Sequence, residues 1–233
     1  MKTNRYGKVA RAFVNACSKY RIAENPDTIV PMDPILDTLP HLRRKEGYSY
    51  GVVLASAVGM GDCSIPFAIA EGEKVPEKPM FLTAGQTPPV VDRLDCEFNE
   101  DSAWELFLVS DMGRYLPLFW HANYDKVVPF FGTGSLRHVI KDIHHNPDVA
   151  VLDGPMTLSE EDYQRMLAYD MDETLLPQVT MTGENKARIV FISWNDWNGL
   201  GRITMSVEKT PDGVVIEKED EEILVEYSCG ILY

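Results

Sequence analysis

Four apolar-rich segments follow one another near the C-terminus: Ala187 to Trp194, Gly201 to Glu208, Val214 to Lys218 and Glu222 to Ser228. Only a few residues separate each from the next, and connections that short join antiparallel neighbours rather than parallel strands. Thr210-Pro211-Asp212-Gly213 supplies turn chemistry at one junction, because Pro presets φ and Gly tolerates positive φ. The spacing predicts a C-terminal β-meander. The acidic run Glu217 to Glu222, broken only by Lys218, reads as the solvated turn of the last hairpin or, less simply, as a contact for a basic partner.

Similar grammar recurs upstream. Tyr48 to Val58 reads as a strand ending at Gly59-Met60-Gly61, with Ile65 to Ala70 as its hairpin partner. Met80 to Thr83, Val90 to Phe98, Val127 to Phe131 and Val149 to Leu152 are further expected strands. Trp104 to Ser110 and Tyr115 to Trp120 bracket Asp111-Met112-Gly113-Arg114, which reads as another hairpin. Helical spacing at positions 9, 13, 16, 17 and 20 predicts a helix over residues 5–20, despite Gly7. Asp33-Pro34 opens a short helix, Gly132-Thr133-Gly134-Ser135 opens one reaching about Asn146, and Ser159 with Asp162 opens one reaching about Tyr169. Strict β-α-β alternation is absent. The expectation is an α+β protein: a predominantly antiparallel or mixed β-sheet with about four helices on one face. Residues 1–233 read as a single domain, with 153–186 the place for a two-lobe split.

Composition narrows the setting. The 233 residues are 45 % apolar and 25 % charged, ordinary for a globular chain with a sizeable core. The longest weakly polar stretch, Tyr50 to Met60, has 11 residues, against about 20 for a membrane-spanning helix. Met1-Lys2-Thr3-Asn4-Arg5 is not followed by the apolar core of a signal peptide, so a cytoplasmic location is expected. Cys17, Cys63, Cys96 and Cys229 form no CxxC pair, which argues against zinc-finger and thioredoxin-type motifs and for reduced thiols.

The net charge of −14 is unevenly spread. Residues 1–50 hold nine Lys/Arg against five Asp/Glu, a net +4; residues 51–233 hold 13 against 31, a net −18. Such a body repels nucleic acid and anionic membranes, so neither is an expected partner. The first 21 residues carry Lys2, Arg5, Lys8, Arg11, Lys19 and Arg21 and no acid. They read either as a helix lying on the acidic body or as a docking arm for an anionic partner.

Several constellations could carry chemistry. Gly132, Thr133, Gly134 and Ser135 stand before a helix with Arg137 nearby, a pattern that can cradle an anion or simply turn and cap the chain. His138, Asp142 and His145 fall within an arc of about 60° on that helix, a spacing open to metal ligation or to a solvated face. Cys63 follows a Gly-flanked turn, where His121 or His41 would have to reach it for nucleophilic catalysis. Asp111, Arg114, His121 and Asp125 sit among aromatics as possible acid and base groups. Trp194, Asp196, Trp197 and Asn198, in the run Trp194 to Gly199, combine aromatic faces with amides and a carboxylate that can hold a flat or sugar-like ligand.

These features favour a non-catalytic binding or regulatory domain that meets a protein or small polar ligand through the Trp194–Gly199 loop. A hydrolase acting on a small polar or phosphorylated substrate, through a metal or Cys63, is the first alternative. A subunit of a homo- or hetero-oligomeric assembly is the second. No cofactor is strongly implied.

Overall fold

The computed structural model describes residues 2–20, 30–57, 61–73, 90–116, 127–144 and 158–227. Among these lie five α-helices and ten strands in three antiparallel sheets, an α+β architecture. The expected strands Met80 to Thr83 and Val149 to Leu152, and most of Tyr115 to Trp120, fall outside the described residues.

The largest sheet is built on the C-terminal meander. Strand β8 (Lys186–Asn195) pairs with β9 (Gly199–Thr210), which pairs with β10 (Gly213–Val225). The other edge of β8 is shared: β7 (Gln178–Gly183) takes its first half and β6 (Val127–Pro129) its last residues. A second sheet joins β3 (Tyr48–Ala57) to β4 (Gly61–Ala70) as a ten-residue hairpin, with β1 (Val30–Pro31) alongside β3. Two-residue strands β2 (Arg43–Arg44) and β5 (Leu94–Asp95) form the third.

Helices cover both faces of the large sheet, not one. Alternation puts Ala187, Ile189 and Phe191 of β8 on one face, where they join a core with α1 (Arg5–Ser18), α2 (Asp33–Leu36) and α3 (Glu100–Ser110). Ile192 and Trp194 point the other way, into a second core with α4 (Arg137–His144) and α5 (Glu160–Met171).

Helix α3 replaces the strand expected over Trp104 to Ser110. Asn99 caps it, accepting from the Asp101 and Ser102 N–H groups, while Ser102 Oγ accepts from the Asn99 N–H. Its residues 102–109 are all buried, so no polar stripe marks it as helical. Trp104 lies at its centre, donating from Nε1 to Tyr6 O at 3.0 Å and packing on Phe107, Phe131 and Phe191. Fully burying aromatic side chains of this kind stabilises the fold by about 1.5–3 kcal/mol each.

The basic N-terminal segment lies on the acidic body. Arg5 reaches Glu100 at 2.8 Å and Asp101 at 3.1 Å, at the start of α3, and Lys2 reaches Glu173. Gly7 is required there because a Cβ would overlap the Phe131 carbonyl. Val90 to Phe98 is a 3-10 turn over Val90–Arg93 followed by the two residues of β5, not one long strand. The acidic run is not a turn either, since Glu217 to Glu222 lie inside β10.

Candidate functional site

Where α3 stops, a cleft of about 390 Å³ opens between its last turn and the large sheet. Phe107 of α3 and Phe191, Ile203 and Met205 of the sheet make its apolar floor. The two rings are 5.1 Å apart between centroids and inclined by 48°. Polar side chains stand around this floor: Ser193 and Asn195 from β8, Asn198 from the β8–β9 turn, Lys218 and Glu221 from β10, and Asp111 after α3.

Strand register explains why they meet. Phe191, Ser193 and Asn195 are alternate residues of β8 and share a face. Lys218 and Glu221 are three apart, which in a regular strand puts them on opposite faces. In β10 one extra residue intervenes: Lys218 pairs with Met205, but Asp220 pairs with the next residue, Thr204. This bulge returns Glu221 to the face of Lys218, where the two form a 2.7 Å ion pair. Gly201 lies opposite Ser193, and a Cβ on it would stand 3.4 Å from Glu221 Oε1, so its missing side chain leaves the space between them open.

Two polar groups of the cleft make no hydrogen bond among the described residues. Ser193 is only 4 % exposed, and its Oγ has no hydrogen-bond partner among the described residues. Asn195 Oδ1 accepts from the Trp197 N–H at 2.7 Å, while its amide NH₂ has no partner among the described residues. Asp111 accepts from the Tyr115 hydroxyl at 3.0 Å. The arrangement suits hydrogen bonding to a ligand that also covers apolar surface.

The aromatic loop contributes its last amide to this cleft and turns its first indole away. Trp194 is fully buried, packs 5.0 Å from Tyr227, and donates from Nε1 to Asp196 Oδ1 at 2.6 Å. Three residues, Asp196 to Asn198, connect the paired Asn195 and Gly199, with Gly199 at φ +87°. Trp197 is half-buried and Asn198 is exposed on the rim.

The glycine loop before α4 is closed on the protein itself. The Thr133 N–H donates to Lys2 O, and Thr133 Oγ1 accepts from the Lys2 N–H. The Gly134 N–H donates to Asp170 O, and the Leu136 N–H donates to Asp170 Oδ1 at 2.8 Å. Ser135 donates from Oγ to the Gly132 carbonyl. Arg137 is exposed, with Nε 3.8 Å from Asp170 Oδ2. A carboxylate therefore already stands at this helix start, and an incoming anion would have to displace it.

His138 and Asp142 are exposed on α4, away from its buried Val139, Ile140 and Ile143 face. His145, His121 and Asp125 lie outside the described residues. Cys63 pairs with Ala55 in the β3–β4 hairpin, and its side chain is outside the description, as is that of Arg114. Among the described residues no three His, Cys, Asp or Glu side chains gather to hold a metal ion. Burial pushes the Cys17 thiol up to about 12 and raises that of Cys96, which keeps both protonated at neutral pH.

His41 has a different partner from Cys63. Its Nδ1 lies 2.7 Å from Glu105 Oε1, and its backbone N–H donates to Oε2. Glu105 is 1 % exposed; burial raises its carboxyl above the ordinary carboxylate range, and the His41 contacts work against that rise.

Asp111, Asn198 and, within the Trp194–Gly199 run, Asn195 are legible as candidates in the sequence; Ser193 is not, and Lys218 and Glu221 figure there only in an acidic run. The available signal was the alternation of Phe191, Ser193 and Asn195, in which a strand's buried face turns polar over its last two turns of pleat. No family model, curated protein or solved structure matches this chain. Among the described residues no helix is long and apolar enough to cross a membrane.

Proposed function

We propose that this chain is a binding protein for a small molecule, which enters the cleft at the end of α3. The observation that carries this reading is the Ser193 hydroxyl, more than nine-tenths buried, lining the cleft and unpartnered among the described residues. This hydroxyl can donate to and accept from a ligand without first giving up an internal hydrogen bond. The volume of about 390 Å³ falls within the about 300–1,000 Å³ typical of ligand pockets. The free thiols of Cys17 and Cys96 support a reducing, cytoplasmic setting for this role.

A fragment screen by amide NMR tests the reading. Hits are expected to move the side-chain amide signals of Asn195 and Asn198 and the backbone signal of Ser193. Gly201→Leu, which places a side chain between Ser193 and Glu221, is expected to abolish those shifts while keeping the circular dichroism spectrum. A library that leaves all three reporters unmoved overturns the proposal.

A further inference from the structure

We infer that the ligand is a neutral, hydroxyl-rich saturated ring, of the monosaccharide or simple glycoside class; this rests on the small-molecule reading just given. The cleft's cation is already matched. Lys218 Nζ is 2.7 Å from Glu221 Oε2, so its charge is largely answered before any anion arrives. The chain's net −14 further disfavours anionic ligands such as phosphorylated compounds.

Three of the groups left to face a ligand are neutral. Ser193 offers a hydroxyl and Asn198 a primary amide, each able to donate and to accept, and Asn195 adds its unpartnered NH₂. Glu221 Oε1, the oxygen turned toward Gly201, adds an acceptor. A ring bearing several hydroxyls matches this set, because each hydroxyl also donates and accepts. The floor agrees. Phe107 and Phe191 are inclined by 48° to each other, so a flat aromatic base cannot lie parallel to both rings. A puckered ring can rest its C–H surface against two inclined apolar walls, with Ile203 and Met205 filling beneath it.

The test is an NMR titration of the intact chain with a panel: neutral pyranoses and their methyl glycosides, a sugar phosphate, a nucleoside and an alkylamine. A neutral sugar is expected to saturate at millimolar concentration, moving the Ser193 and Asn195 signals. Ser193→Ala is expected to weaken that binding about tenfold with an unchanged thermal midpoint, the effect of one lost hydrogen bond. Glu221→Ala removes the acceptor and frees Lys218, so it is expected to weaken the neutral sugar and to favour the sugar phosphate. If the nucleoside, phosphate or amine saturates the cleft and no neutral sugar does, the ligand class is wrong and the binding reading survives. If neither the panel nor the fragment library moves these signals, both fail.

Discussion

Two polar places in this chain sit at helix ends, and the fold treats them in opposite ways. The Gly132–Leu136 loop stands at the start of α4, and its Thr133, Gly134 and Leu136 N–H groups are engaged by Lys2 and Asp170. The cleft stands at the end of α3, and there the Ser193 hydroxyl and Asn195 NH₂ have no partner among the described residues. In sequence the first is the more eye-catching, with glycines, hydroxyls and an arginine before a helix. In three dimensions it is a joint between the N-terminus, α4 and α5. The difference teaches that a polar motif signals a ligand by what it leaves unsatisfied rather than by its residue types.

That contrast can be broken at several points. The largest effect belongs to Trp194, whose buried ring and bond to Asp196 are another internally closed arrangement. Trp194→Ala is expected to cost about 3–5 kcal/mol in urea unfolding, the range for emptying a buried aromatic site. A loss under about 1 kcal/mol would show that the aromatic loop is not anchored as described. Next is Asp170→Ala, which leaves the Leu136 N–H unpaired and should cost about 1–3 kcal/mol. Phosphate should then raise the melting temperature of this variant and not of the parent chain. If phosphate stabilises both equally, the loop binds anions even with Asp170 in place.

Ser193→Ala sharpens the other half of the comparison. Removing an unpartnered hydroxyl should change unfolding free energy by no more than about 0.5 kcal/mol, in either direction. A loss above about 1 kcal/mol would reveal an internal partner and remove the contrast. The smallest effect is one of pH. Because burial raises the Glu105 carboxyl, with His41 opposing, the folded chain holds that proton more tightly than the unfolded chain. This contributes stability that is fully present below the ordinary carboxylate value and lost as pH rises through the raised folded value. The stability of the parent chain relative to Glu105→Gln should therefore increase on acidification through that window. A constant difference would mean that the His41 contacts fully offset the burial of Glu105.

Much of the fold was legible from local signals. Helix α1, the β3–β4 hairpin, the Ser159 cap of α5 and the meander all follow from short-range periodicity and turn chemistry. The errors share a cause. Helix α3 is buried all round, so Trp104 to Val109 lacks the polar stripe that distinguishes a helix from a core strand. Its Asn99–Ser102 capping box was in the letters and was the better guide. Strand β10 fails in the opposite sense, since it is acidic through its middle and exposes most of its length, which resembles a turn. The site was harder because Ser193, Lys218 and Glu221 come together through pairing register and one inserted residue. Neither leaves a mark within a window of a few letters.

That inserted residue has a consequence beyond the cleft. Strand β10 forms one margin of the large sheet, with β9 its only strand neighbour among the described residues. A long, flat margin would template the addition of strands from other molecules. The irregularity after Lys218 twists this one, and Glu217, Glu219, Asp220 and Glu222 charge it, so fibril-like stacking is opposed twice over. Deleting Glu219 would remove one of the two irregularities in this ladder, the other lying between Ile223 and Val225, together with one of those charges, and would weaken both protections at once.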